Sequence, residues 1–192
     1  MSVVAEVSSQ VTIQEVRVRP MTADDMDAVS EMFFTAGDDA LHNRFFTLGH
    51  RMVSEHIREL AHPGGPRCLV AVVDGNVVGI VEMAEVEPQV EEVALLVAAG
   101  LHHHGIGTML LTAALADARL RGVKTLVAEV LATNHLMLEV FADAGAAFSR
   151  ADGEVSVTLP TRERGAEHHE SSTPCRRRVD TRNLTRRDEV PQ

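Results

Sequence analysis

The sequence predicts an α/β fold, a mixed and mostly antiparallel sheet with helices on both faces. Three observations carry that expectation. Apolar runs of strand length recur at residues 68–73, 77–86, 93–97 and 125–131, bounded by turn residues. Between the last two lies a segment of helical spacing, in which Ile106, Leu110, Ala114 and Ala118 recur every four residues and Leu111 and Leu115 widen the stripe. Near the end, Val155, Val157 and Leu159 alternate with Glu154, Ser156 and Thr158, as in a strand with one face inward and one outward.

Taken in order, residues 11–19 (VTIQEVRVR) alternate as a first strand that ends at Pro20. Thr22 stands at an N-cap position with Asp25 three residues on as a capping-box partner. Met26, Val29, Met32 and Phe33 then follow helical spacing. Residues 38–49 open with two aspartates and contain Leu41-His42-Asn43-Arg44-Phe45-Phe46. A second helix, roughly 51–61, stops before the His62-Pro63-Gly64-Gly65-Pro66 turn. Residues 68–73 and 77–86 form a hairpin around Asp74-Gly75, a type I′ signal. The strand at 93–97 follows Glu91 and Glu92, turns through 100–107, and feeds a helix for which Gly122 is the C′ residue. After the strand at 125–131, Asn134 caps a helix (NHLMLEVFADAG) that closes at Gly145. Residues 147–150 and 154–159 flank Ala151-Asp152-Gly153 as a closing pair. The order is strand, two helices, three antiparallel strands, helix, strand, helix and a closing strand or pair.

With 192 residues and 45% hydrophobic content, the chain has room for one domain with a real core, expected over residues 11–160. Residues 1–10 are expected to be a flexible N-terminus. Residues 161–192 are nearly free of apolar side chains and rich in Arg, which predicts a disordered tail. Net charge is −10, yet the tail holds eight Arg against six acidic residues, leaving 10 basic and 22 acidic residues in the preceding 160. An acidic domain repels a nucleic acid backbone and attracts a cationic amine, so no nucleic acid partner is expected. No apolar run approaches the roughly 18 residues of a membrane span, and MSVVAEVSSQ lacks the basic and apolar regions of a secretory signal. Two cysteines make no disulfide framework. A reducing cytoplasm is the expected compartment.

The strand–loop–helix unit at 93–122 carries the chemistry. The first-turn N–H groups of a helix are unpaired and its dipole is positive there, so a glycine-containing loop at that end is an anion site. Gly105 and Gly107 lack a Cβ and let backbone approach a phosphate. No Gly-Lys-Ser/Thr follows, which excludes a Walker A loop, and Leu110 stands where a dinucleotide fingerprint needs its third glycine. Three adjacent histidines in a tight turn cannot all reach one ion, and no Cys or carboxylate stands at ligand spacing, so no metal is expected.

The spacing His102-x-x-Gly105-x-Gly107 at a helix head resembles the acyl-CoA loop of the GNAT superfamily of N-acyltransferases. The strand, Asn134, the helix with Phe141 on its inner face, and Gly145 follow in that family's order. Two positions depart from it: His102 stands where Gln or Arg is usual, and Ala146 where Phe is usual. The resemblance covers residues 11–160 and implies a GNAT-like sheet whose fourth and fifth strands splay apart around the cofactor. It implies acetyl-CoA as co-substrate, bound by Leu95, Leu96 and Val97 of the fourth strand and by His102, His103, His104, Gly105, Ile106, Gly107 and Thr108. Asn134 and Phe141 complete that set.

The reaction so implied moves an acetyl group from CoA sulfur to an amine. An amine of pKa ~10.4 needs a base near pH 7. Strand alternation sends only one of Glu91 and Glu92 into the cleft, and an E-V-A resemblance to the bacterial protein-lysine acetyltransferase branch favours Glu92. Glu129, inside an otherwise apolar strand, is the rival, because a carboxylate there needs a partner or a purpose. A backbone N–H at Leu96 or Val97 is implied as the oxyanion donor. The tyrosine that often reprotonates the thiolate is replaced by Phe141, and the chain holds no tyrosine. Arg44-Phe45-Phe46 resembles the acceptor-side segment of the same branch, which makes Arg44 and Phe45 acceptor-site candidates. The acceptor is expected to be a protein lysine, a small amine or an amino acid, and a homodimer is left open. A non-catalytic acyl-CoA sensor is the alternative class.

Overall fold

The computed structural model describes residues 15–45 and 50–162, with the side chains of residues 45 and 50–52 left aside. The expected first strand is present as β1 (Arg17–Pro20), its residues 11–14 lying outside the description. A 3-10 turn (Ala23–Asp25) leads into α1 (Met26–Thr35). The capping box forms as expected: the Thr22 N–H donates to Asp25 Oδ2 at 2.8 Å. Arg19 adds two hydrogen bonds of 2.7 Å to the same carboxylate. Those bonds hold the Asp25 carboxyl well below its usual range.

Where two helices were expected before the hairpin there are three, α1, α2 (Asp38–Phe45) and α3 (His50–Leu60). Among the α2 side chains that are described, only Leu41 is fully buried. Asp38 and Asp39 in its first turn and Arg44 in its last suit the helix dipole.

The hairpin is β2 (Arg67–Val73) and β3 (Asn76–Glu87). Asp74 and Gly75 both have positive φ, 49° and 85°, as a type I′ turn requires. β4 (Val90–Val97), α4 (Ile106–Arg121), β5 (Thr125–Leu131), α5 (His135–Asp143), β6 (Ala147–Ala151) and β7 (Glu154–Pro160) complete the chain. Seven strands make one sheet in the order β1-β2-β3-β4-β5-β7-β6. Every neighbouring pair is antiparallel except β4 and β5.

The sheet separates two apolar clusters. On one face Leu69, Val81, Val93 and Leu95 pack with Ile106, Leu110, Ala114 and Ala118 of α4 and Phe141 of α5. On the other Val70, Ile80 and Leu96 pack with Val29, Phe33, Leu41 and Val53 from α1, α2 and α3. The alternation read for β7 holds, with Val155, Val157 and Leu159 buried. The domain extends slightly past residue 160: Thr161 is buried, and its hydroxyl donates to the Val123 carbonyl at 2.6 Å. The expected flexible N-terminus and the tail from residue 163 lie outside the described residues. Among the described residues, no helix is long and apolar enough to cross a membrane.

Gly79 of β3 ties this packing to the loop that follows β4. A Cβ there would lie 3.0 Å from Leu110 Cδ1, 3.2 Å from the Leu96 carbonyl oxygen and 3.3 Å from Ile106 Cγ2. The first turn of α4 therefore seats directly on this glycine. Gly79→Ala is expected to cost about 1–3 kcal/mol by overpacking, measured as a lower urea midpoint at unchanged slope.

Candidate active site

β4 and β5 pair only at Val90–Thr125, Glu91–Leu126 and Glu92–Val127. Beyond that point the strands part. The outer edge of β4 continues on β3 as far as Val97, and that of β5 continues on β7 as far as Leu131. The inner edges of 93–97 and 128–131 thus face each other across a wedge instead of a ladder. A cavity of about 560 Å³ fills the wedge.

Residues from five segments line it. β4 supplies Glu92 together with Leu95, Leu96 and Val97, and Val93 and Ala94 as well. The loop and the head of α4 supply His102, His103, Gly105, Ile106, Gly107 and Thr108. β5 supplies Glu129 between Ala128 and Val130. Asn134 and Phe141 come from the α5 side, joined by Leu136, Met137, Glu139, Val140 and Asp143, which sequence reasoning had not singled out. α2 supplies Asp39, Ala40, Asn43 and Arg44, one face of a helix by their spacing. His104 is not among the lining residues; its Nδ1 lies 2.8 Å from the His102 carbonyl oxygen within the loop. Phe45 ends α2, and its side chain lies outside the described set.

The head of α4 is built as an open cradle. Gly105 is its N-cap, with φ of 76°, and has no side chain to cap the helix. The first intrahelical bond runs from the Met109 N–H to the Gly105 carbonyl, so the N–H groups of residues 106–108 precede the ladder. A Cβ on Gly105 would meet nothing within 4 Å, and one on Gly107 only Val140 Cγ2 at 3.5 Å. His103 adopts φ of 64°, a left-handed conformation uncommon outside glycine, within the same turn. His102 Nε2 approaches the Val97 carbonyl oxygen at 3.3 Å, joining the loop to the end of β4. By contrast, α5 is capped by its own side chain, with Asn134 Oδ1 accepting the Met137 N–H at 3.2 Å.

The carboxylates divide as strand alternation requires. Glu91 points to α4, is buried, and takes two hydrogen bonds from the Arg121 guanidinium, one of them from Nη2 at 2.7 Å. Glu92 takes the opposite face, is exposed, and lines the cavity. Glu129 is also exposed and accepts the Ser156 hydroxyl at 3.1 Å across the β5–β7 ladder. The sequence suggested that Glu129 sits inside a buried run. Its strand instead buries Leu126, Ala128 and Val130 on one face and leaves Glu129 on the other.

One functional candidate escaped sequence reasoning. Glu82 of β3 is 4% exposed, and Arg44 Nη2 donates to its Oε2 at 2.8 Å. His56 Nε2 of α3 lies 2.9 Å from the same oxygen. Cys68, its neighbour on β2, is neutral there, since burial and then the charge of Glu82 push its thiol up to about 12. The signal for Glu82 was a lone carboxylate in the run VVGIVEM, but Arg44 and His56 stand far away in the sequence. Among the described residues, no group of three or more His, Cys, Asp or Glu is placed to hold a metal ion.

Comparison with known proteins agrees with this architecture. The chain is similar to the GNAT domain of S. lividans PAT, at 29% identity and a TM-score of 0.64, covering 76% of this chain and 90% of that one. An N-acetyltransferase from Staphylococcus aureus Mu50 has the same fold at 19% identity and a TM-score of 0.64, covering 77% and 99%. The structure of yncA from Salmonella typhimurium, which contains its cofactor acetyl-CoA, shares the fold at 17% identity and a TM-score of 0.61, covering 80% and 98%. Residues 31–146 match the Acetyltransferase (GNAT) family. That match spans more than half of the 192 residues, and the chain therefore belongs to the GNAT family of acetyltransferases, which uses acetyl-CoA.

Proposed function

We propose that this protein is an N-acetyltransferase that moves the acetyl group of acetyl-CoA to a primary amine, a protein lysine being the favoured acceptor. The observation that carries the reading is the wedge itself, an open strand edge that ends at an uncapped helix N-terminus. The residues present fit the co-substrate. The N–H groups of residues 106–108 and the open space at Gly105 and Gly107 suit a diphosphate. The inner edge of β4 at Leu95, Leu96 and Val97 offers backbone groups to an extended pantetheine arm, as a further strand would. Ile106, Thr108, Asn134 and Phe141 border the same space, and His102 and His103 add polar rings beside the cradle.

When bound, acetyl-CoA supplies an activated acetyl thioester. The protein's part is to deprotonate the amine and to stabilise the negative charge that grows on the acetyl oxygen. Glu92 is the proposed base: it lines the cavity, is free of the Arg121 pair that occupies Glu91, and accepts the amine proton directly or through one water. A backbone N–H at Leu96 or Val97 is the proposed donor to the oxygen. Arg44 and Phe45 form the acceptor side together with the rest of α2. Asp39, Glu92 and Glu129 in the lining suit a cationic amine. The likeness to the GNAT domain of S. lividans PAT, a protein acetyltransferase domain, supports a protein acceptor over the alternatives, a small amine or an amino acid.

A second reading rests on one observation. The chain has no tyrosine, and buried Phe141 lines the cavity, so no phenol stands ready to protonate a leaving thiolate. A domain that binds acyl-CoA without turnover is compatible with that. An acceptor screen separates the readings: CoA-thiol release is measured with small amines, amino acids and lysine-containing proteins. Release with lysine-containing proteins above free amines is the expected result. Binding of acetyl-CoA with no release across the whole panel would establish the sensor instead.

A further inference from the structure

We propose that Glu82 is a positioning residue that sets the acceptor wall of the cavity by holding Arg44 of α2 and His56 of α3 against the sheet. The inference rests on the acetyltransferase reading for its functional meaning, though its geometry is independent of it. A carboxylate buried at 4% exposure on the middle of β3 is costly unless it is paired. Its Oε2 receives the Arg44 bond at 2.8 Å and lies 2.9 Å from His56 Nε2, while its Oε1 has no hydrogen-bond partner among the described residues. An apolar residue of similar size would fill the position without that desolvation, but it would not fix a direction.

Among the described side chains of α2 only Leu41 is fully buried, with Ala40 packed beside it, and the Arg44–Glu82 pair adds a polar contact of fixed direction to that packing. The helix face so oriented is the one that bears Asp39, Ala40, Asn43 and Arg44 on the cavity. His56 packs its ring edge-on against Phe33 of α1, with centroids 5.3 Å apart, so the same carboxylate gathers α3 and, through it, α1. Ile106 and Leu110 at the head of α4 pack across the sheet, in the other apolar cluster. The network should therefore govern the acceptor and leave acetyl-CoA alone.

The test uses the full chain with Glu82→Gln, Arg44→Ala and Arg44→Lys, and as acceptor the best amine from the screen above. For Glu82→Gln and Arg44→Ala, acceptor KM should rise about 10-fold or more, with kcat within about 3-fold and acetyl-CoA affinity unchanged. Arg44→Lys, which keeps the charge, should recover most of that KM loss. Backbone amides of α2 should exchange faster in the first two variants while those of α4 stay protected. An unchanged acceptor KM, or an equal loss of acetyl-CoA affinity and of protection throughout the fold, would overturn the proposal. If Glu82→Gln does not fold, amide exchange of α2 against α4 in Arg44→Ala and Arg44→Lys decides it, because KM there also reports the place of Arg44 in the cavity lining. If the native protein acetylates no amine, the acetyltransferase reading fails, and selective loosening of α2 still supports or sinks the positioning role.

Discussion

Glu92→Gln is expected to lower kcat for acetyl transfer by about 100-fold or more while acetyl-CoA binds as before. Glutamine keeps the size of the side chain and removes its basicity, so the amine must lose its proton to water. Two neighbouring glutamates serve as controls with different expectations. Glu129→Gln should cost less than about 10-fold, since that side chain shares the cavity without being the proposed base. Glu91→Gln should act on stability, because it weakens the buried pair with Arg121 on the opposite face of the same strand. Steady-state CoA release, with calorimetry for acetyl-CoA, reads all three. A larger loss from Glu129→Gln than from Glu92→Gln would transfer the base to β5.

The second large effect is expected at the cradle, where stability and binding should move in opposite directions. Gly107→Asp places a carboxylate in the first turn of α4, where the helix dipole favours a negative charge by about 0.3–1 kcal/mol. A Cβ at this position meets only Val140, at an ordinary 3.5 Å. The fold should therefore keep its melting temperature or gain slightly. A diphosphate seated on the same amides would face a like charge. At 5 Å and an effective dielectric constant of about 20, one such pair costs about 3 kcal/mol. Acetyl-CoA affinity should fall by about 100-fold or more, and calorimetry beside thermal denaturation separates the two effects. Undiminished acetyl-CoA affinity in Gly107→Asp would place the diphosphate somewhere other than the head of α4.

Much of the molecule was legible in the sequence because its signals are local. Asp74-Gly75 needs two positive φ values wherever it stands, and it turns the β2–β3 hairpin. Asn134 caps α5 through a partner three residues away. The strand, glycine loop and helix at 90–122 follow from apolar spacing and two residues without a Cβ. These features depend on neighbours within one or two turns, so one dimension is enough to read them.

The tertiary structure decided what depends on distant partners. Alternation required one of Glu91 and Glu92 to face the cleft, but only the position of Arg121 on α4 shows which one is consumed by an ion pair. The bond from Arg44 of α2 to Glu82 joins residues 38 apart in the chain, so nothing local to either one announces it. His104 sits in the same triplet as His102 and His103, yet the turn leaves it out of the cavity lining. The wedge is likewise a property of two strands whose pairing stops after Glu92 and Val127. By itself the sequence determined the elements and the chemistry they carry, since hydrophobic period and turn preference act over a few residues. Which charges are neutralised and which face a common space was decided by the packed sheet, because burial and pairing depend on residues the chain brings together only when folded.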